Sequence, residues 1–369
     1  MDKSICAQRI AVLQQEMKKK DIDVCLLVDR ENLLYYGGIE QIECMAIVIP
    51  QEGMAEGVTL SLDLEWVKAN CALERMRGYV FPMDNLGRSV VQVIGEMGYR
   101  NPVVGFERYF VGFAVYDILR SAFDEKKFVS VADIIYRQRS VKTPEEITKI
   151  RAAAQAVVAG MQAAVKAIAP GVREIDIAAE AEYAAMKAGS QGTPFRIQIV
   201  SGYKTLLTHP FADTKQVREG EIVLIHIGAK YQGYIAKMCR TAAVGVIPEE
   251  QRQIYEVLKE AQDACIAALK PGIPSNRVDK AAREVIEAHG YGDLFLDVIG
   301  YGVGLRQSEF YPMLGKAFPY PLLENMIVDV LLPTIYKPFV GGPRLTDTIL
   351  IKEDKAEILT DYPRTLINI

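Results

Sequence analysis

No stretch of this sequence approaches the roughly 18 consecutive apolar residues that a membrane-crossing helix needs. Blocks of like charge are also missing. Lys18-Lys19-Lys20 is the one basic run, and it sits in a helical pattern as a solvated face. With 43 Lys and Arg against 47 Asp and Glu, the formal charge is −4, which leaves no basic footprint for nucleic acid and no basic helix for a membrane surface. The opening Met1-Asp2-Lys3-Ser4 runs into a charged amphipathic segment without the apolar core of a signal peptide. Six cysteines, at positions 6, 25, 44, 71, 239 and 265, form no C-x-x-C pair. A zinc ribbon is thereby excluded, a disulfide scaffold does not suit a chain this large, and buried free thiols in a reducing cytoplasm are expected.

What is present is an ordinary globular composition, 50% hydrophobic and 24% charged over 369 residues. That length supports two domains. The first 135 or so residues alternate helix and strand signals. Ile10 to Lys20 reads as an amphipathic helix. Val24–Val28, Ala46–Pro50 and Pro102–Phe106 are short apolar runs of the kind found in strands covered on both faces. Helical stretches fall near Leu62–Met76 and Ser89–Met97. The segment from Arg137 to Glu146 reads as a boundary. Thr143, Pro144 and Glu146 carry a capping-box pattern that opens a long Ala-rich helix to Ile168. Domains of residues 1–136 and 137–369 are expected.

The second half repeats itself. Ala167-Ile168-Ala169-Pro170-Gly171 ends one helix ahead of another, Ile175–Ala188. About a hundred residues later Ala268-Leu269-Lys270-Pro271-Gly272 precedes a helix over Val278–Ala288. Each copy leads into Gly-rich strand signals. A duplicated helix-Pro-Gly-helix-strand unit implies a pseudo-twofold domain with helices packed on a curved antiparallel sheet.

Several further segments carry a family resemblance: Asn32 to Gly38 in the first half, then Ser201-Gly202 to Thr208-His209, Gly220 to Ile225, Gly233-Tyr234, Arg240-Thr241, Gly300 to Leu305, and Gly342 to Thr348. Through them the chain resembles the pita-bread family of methionine aminopeptidase, prolidase, Xaa-Pro aminopeptidase and creatinase, in its two-domain creatinase and prolidase branch. The resemblance implies an α/β N-terminal domain of the creatinase, RNase H-like type, followed by an α+β pita-bread domain. It also implies a homodimer.

Metal-dependent members hold two divalent ions with two Asp, one His and two Glu, since hard cations need charged oxygen donors. At the matching positions this sequence has His226, Lys237, Tyr301, Leu331 (or, with a one-residue slip, Leu332) and Thr346. Ser308 stands where prolidases carry a further His. An ammonium at Lys237 would repel a dication about 4 Å away by about 8 kcal/mol at an effective dielectric near 20, twice the unit-pair value. No metal and no other cofactor is therefore expected. Creatinase works without metal through a histidine and two glutamates. His209 matches that histidine, but Cys239 and Leu331 stand at the glutamate positions.

The resemblance would gather His209, His226, Lys237, Tyr301, Glu309, Arg344 and Asp347 around or just behind one cleft. Lys237 would favour an anion there, such as the carboxylate of an amino acid or short peptide; the plainer reading pairs it with Glu309 or Asp347 to hold the core. His209 is a candidate general acid or base, or a wall residue. Tyr301 beside Lys237 is a candidate proton-transfer pair, or a filler of vacated volume. Glu309 completes the candidate catalytic set. His226, Arg344 and Asp347 are candidate ligand contacts, with Arg344 and Asp347 alternatively a structural pair. Cys239 is a candidate nucleophile or a buried strand thiol. His289 reads as a helix C-cap. Three functions follow: metal-independent hydrolysis of a C–N bond in a small carboxylate-bearing substrate, non-catalytic binding of a small molecule or short peptide in the same cleft, and Xaa-Pro dipeptidase or aminopeptidase activity, against which the substituted ligand positions argue.

Overall fold

A computed structural model describes residues 3–40, 44–107 and 111–369. Its internal contacts divide the chain into Met1–Gln138 and Arg139–Ile369. The boundary lies two residues beyond the expected one, inside a helix spanning Ala132–Ser140.

The first unit is a six-stranded sheet with helices. Its strands are β1 (Val24–Leu27), β2 (Ala46–Pro50), β3 (Glu56–Leu60), β4 (Arg75–Tyr79), β5 (Val104–Phe106) and β6 (Phe128–Ser130), ordered β4-β3-β2-β1-β5-β6. β1 runs parallel to β5 and antiparallel to β2. β1 and β2 are buried at every position, as two-sided cover requires. Val24, Leu26, Val48 and Val58 pack with Val90, Val93 and Ile94 of the helix Leu86–Glu96. The expected helix over 62–76 is shorter. It occupies Leu64–Asn70, and Arg75 onward is β4, recruited by parallel pairing with β3. Asp29 caps the helix Arg30–Gly37, which takes in most of the Asn32–Gly38 motif, by accepting from the backbone N–H of Asn32.

In the second unit Thr143 and Glu146 form the reciprocal capping box at the head of helix Pro144–Ala167. That helix and Glu174–Lys187 make the first helix pair; Glu249–Ala268 and Ser275–Ala288 make the second. The two Pro-Gly turns match, with Gly171 and Gly272 both left-handed, at φ 86° and 83°. His289 is the C-cap of the last helix, and its Nε2 lies 3.1 Å from Glu260.

The first repeat supplies β7 (Gln198–Ser201), β8 (Ile222–Tyr231) and β9 (Tyr234–Ala243). The second supplies β10 (Val298–Gly302), β11 (Glu309–Gly315), β12 (Ile327–Val330) and β13 (Asp347–Leu350), with short strands β14 (Glu357–Ile358) and β15 (Ile367–Asn368) closing the edges. The sheet orders are β15-β9-β8-β7 and β11-β10-β12-β13-β14. A bridge between Cys239 and Thr346 joins one repeat's sheet to the other's. His226, Ile227 and Gly228 lie within continuous β8. No described helix is long and apolar enough to cross a membrane.

Candidate functional site

A cleft of about 460 Å³ lies within the second unit, lined by residues of β7, β8, β9 and β10, by segments on both sides of β7 and β10, and by the connection between β12 and β13. His209, His226, Lys237, Tyr301 and Arg344 all line it, with Gln198, Ser308 and Tyr336. Five of the seven candidate residues therefore converge.

Register explains the placement. Gln198 pairs with His226 across β7 and β8, and Gly228 pairs with Lys237 across β8 and β9. Directly opposed residues share a sheet face. A side chain at Gly228 would collide with Phe195, whose ring packs 4.9 Å from the His226 ring. Arg344 is fixed through its backbone, which donates to Thr241 Oγ1 and accepts from the same hydroxyl.

Lys237 pairs with neither Glu309 nor Asp347, the two partners expected for it. Its ammonium contacts Asp329, a carboxylate on β12 buried as deeply as Lys237 itself. Asp329 Oδ1 also accepts from the backbone N–H of Tyr301. Gly300 allows this approach, since a Cβ there would stand 2.2 Å from the Asp329 carbonyl oxygen. Burial pushes the Asp329 carboxyl up and Lys237 opposes that shift.

Two candidates do not reach the cleft wall. Glu309 is held by Arg139 and accepts from the Arg306 N–H at 3.2 Å, with Lys142 close by. These cations hold its carboxyl below the usual range against the opposing effect of burial. Asp347 accepts from Arg240 at 2.7 Å, Thr360 at 2.8 Å and Gln262 at 3.1 Å. Both carboxylates are spent neutralising buried cations, so neither stands ready to touch a ligand, and the pairing of Arg344 with Asp347 is corrected to Arg240 with Asp347.

His226 is buried. Desolvation, then Lys237 and Arg344, hold its pKa well below 6.5, so the ring is neutral. His209 lies on the exposed loop after the 3₁₀ turn Gly202–Leu206. The Tyr301 phenol is raised by burial and by Asp329. Of the two leucines, Leu332 lines the cleft and Leu331 does not. Cys239 shares the regular β9 face with Lys237 but is sealed against Val200 and Leu224, and burial pushes its thiol up to about 12. At pH 8 an aromatic disulfide reagent should therefore label the exposed Cys44 quickly and leave Cys239 unmodified until the protein unfolds, as read by peptide mass mapping. Rapid labelling of Cys239 would contradict this packing.

The donor set does not fit a pair of divalent ions. Among the described residues no three His, Cys, Asp or Glu side chains are grouped to hold a metal. Asp329, the carboxylate behind Lys237, is already matched by that ammonium.

A creatinase-type α/β unit followed by a duplicated pita-bread unit, with the cleft inside the second, defines the class. The pattern of metallopeptidase family M24 matches residues 148–353, and that of the creatinase/prolidase N-terminal domain matches residues 9–141. The chain belongs to this family. It is 31% identical over 360 residues to an Xaa-Pro dipeptidase of Pyrococcus furiosus, covering 98% of this chain and 99% of that one. Among solved structures it resembles an Xaa-Pro dipeptidase from Bacillus anthracis, with TM-score 0.90, 27% identity and coverage of 99% and 100% of the two chains. It also resembles the prolidase from Pyrococcus furiosus, with TM-score 0.86, 30% identity and coverage of 95% and 99%.

Sequence reasoning missed Asp329 and Gln198. Asp329 had a signal, as the one acidic residue in the otherwise apolar run Ile327–Leu332. Gln198 had none, because only the β7–β8 register brings it to His226.

Proposed function

We propose that the second unit binds a small carboxylate-bearing molecule in its cleft and does not cleave Xaa-Pro bonds by two-metal chemistry. One observation carries this reading. Arg196 and Arg344 line the cleft beside Lys237, whose charge Asp329 offsets, and none of the described lining residues is a carboxylate. A wall with that balance favours an anion, and the Arg344 guanidinium offers charge-assisted donors for it.

Hydrolysis of the creatinase kind needs a general acid and a general base in reach of the scissile bond. Here Glu309, Asp329 and Asp347 are each engaged by a cation, and His226 is neutral and buried. His209 and Tyr301 remain on the cleft wall, and the Tyr301 phenol is raised by burial and by Asp329. The activity named for the similar proteins, Xaa-Pro dipeptide cleavage, favours a short peptide or amino-acid derivative as the ligand, and makes Xaa-Pro hydrolysis the second reading.

Elemental analysis of protein purified without chelator, with an Xaa-Pro dipeptide assay in the presence and absence of manganese, separates the two. The expected result is neither stoichiometric metal nor cleavage. Calorimetry should then detect N-acetylproline, with its carboxamide bound at least ~10-fold more weakly for loss of the charge-assisted contact. Two equivalents of metal together with manganese-stimulated turnover would sink the proposal.

A further inference from the structure

We infer that His226 meets the ligand as a hydrogen-bond acceptor, so that the cleft selects a carboxylate that also carries an uncharged N–H or O–H donor, as an N-acylated amino acid does, over an ammonium-bearing one. This rests on the carboxylate-binding reading above and specifies its ligand.

The tautomer follows from donor arithmetic. Arg344 can only donate. Its Nη1 faces the side-chain amide of Gln198 at 3.4 Å, which is long but fixes the amide atom there as the oxygen, Oε1. His226 Nδ1 lies 3.3 Å from the same Oε1. An oxygen already facing one donor can only accept from the imidazole, so Nδ1 carries the proton. Nε2 is then a lone pair. A second proton on the ring is opposed by burial and by the charges of Lys237 and Arg344.

Nε2 has no hydrogen-bond partner among the described residues. The same holds for Arg344 Nε, while Arg344 Nη2 donates to the Leu207 carbonyl at 2.7 Å. Two buried nitrogens of opposite hydrogen-bonding sense thus border one cleft on either side of Gln198. A buried polar atom left unmatched is costly, and a molecule that presents an acceptor to Arg344 and a donor to His226 removes both costs. Both nitrogens are sealed from water as the wall stands, so the ligand reaches them by parting that wall.

The donor must be uncharged. Arg196 and Arg344 line the cleft, Lys237 is already paired with Asp329, and none of the described lining residues is a carboxylate, so an ammonium finds repulsion and no free counter-charge. An amide N–H or a hydroxyl meets no such penalty.

Four probes test the inference by NMR titration and calorimetry on the full chain: N-acetylglycine, N-acetylsarcosine (carboxylate, no N–H), N-acetylglycinamide (N–H, no carboxylate) and glycylglycine (carboxylate and ammonium). N-acetylglycine should bind ~10-fold more tightly than N-acetylsarcosine, the loss expected for one buried hydrogen bond, and more tightly than glycylglycine. His226→Phe should abolish the N-acetylglycine preference and spare N-acetylsarcosine. Independently of any variant's folding, long-range ¹H–¹⁵N correlations on the unliganded protein, which has three histidines, should show His226 protonated at Nδ1. Equal affinity for N-acetylglycine and N-acetylsarcosine, preference for glycylglycine, or an Nε2–H tautomer each overturns the inference and leaves the carboxylate reading standing. Failure of all three carboxylate probes, or equal binding of N-acetylglycinamide, overturns the carboxylate reading itself.

Discussion

Replacing Lys237 by Met should lower the stability of the second unit by about 3–5 kcal/mol, the usual cost of stranding one member of a buried ion pair. Asp329 is fully buried, and its visible compensation is the Lys237 ammonium and the Tyr301 N–H. Without the ammonium the carboxylate must bind a proton or drag water inward. The double variant Lys237→Met with Asp329→Asn should recover most of the loss. Asparagine keeps an oxygen for the Tyr301 N–H and removes the stranded charge, and an uncharged pair in such a site is often no less stable than the ionic one. Urea unfolding, followed by a probe confined to the second unit, measures both. Because burial already raises the Asp329 carboxyl, the Lys237→Met deficit should shrink as the pH falls toward the value at which that carboxyl takes up a proton. Chelator should leave wild-type stability unchanged. A Lys237→Met protein within 1 kcal/mol of wild type, or a wild type that loses stability in chelator, would show that the pair does not brace β9, β12 and β10 as described.

Acid should destabilise the wild type more than a His226→Gln variant, with the two curves parting below about pH 6.5. His226 has its folded pKa depressed well below that ordinary value, first by burial and then by Lys237 and Arg344. Above 6.5 the ring is neutral in both folded and unfolded chains, and its titration contributes nothing. Between 6.5 and the lower folded value the unfolded state binds a proton that the folded state refuses. Stability is therefore lost as pH falls, at up to about 1.4 kcal/mol per pH unit. Glu309 acts in the same direction at lower pH: its folded pKa is depressed, so the stability it contributes is present above 4.5 and is lost as pH falls through the folded value. Subtracting the variant's curve from the wild type's isolates the histidine. Parallel curves from pH 7 to pH 5 would mean that the fold does not depress the His226 pKa, so that the folded ring takes up its proton over the same range as the unfolded one, and would contradict the burial that keeps it a neutral acceptor.

Much of the second unit's architecture was legible because local signals agreed with one another. Thr143, Pro144 and Glu146 announce a helix start that the structure realises in both hydrogen bonds. The two Pro-Gly turns announce a duplication, since Gly171 and Gly272 occupy the left-handed region that favours glycine. The segment after Leu62 misled for a physical reason. Whether Arg75–Tyr79 is strand or helix depends on β3 lying beside it, a pairing that residues 62–76 do not encode.

The candidate site divides along the same line. By itself the sequence determined the family, and through its ordered motifs it pointed to His226, Lys237, Tyr301, Thr346 and a leucine as the residues to look for in a cleft. These are properties of ordered motifs, and motif order survives without coordinates. Only the tertiary structure decided which charges meet. Lys237 could have faced Glu309, Asp347 or open solvent. It faces Asp329 because the sheets of the two repeats, joined at Cys239 and Thr346, turn β9 and β12 to one interior, while Gly300 on β10, lacking a side chain, lets β10 close on Asp329. Glu309 was expected in the catalytic set and Asp347 among the ligand contacts, yet Arg139 and Arg240 hold them away from the cleft wall. Ion pairing in an interior is settled by distances of a few ångströms between segments far apart in the chain, because there each charge must find its counter-charge or lose its ionisation.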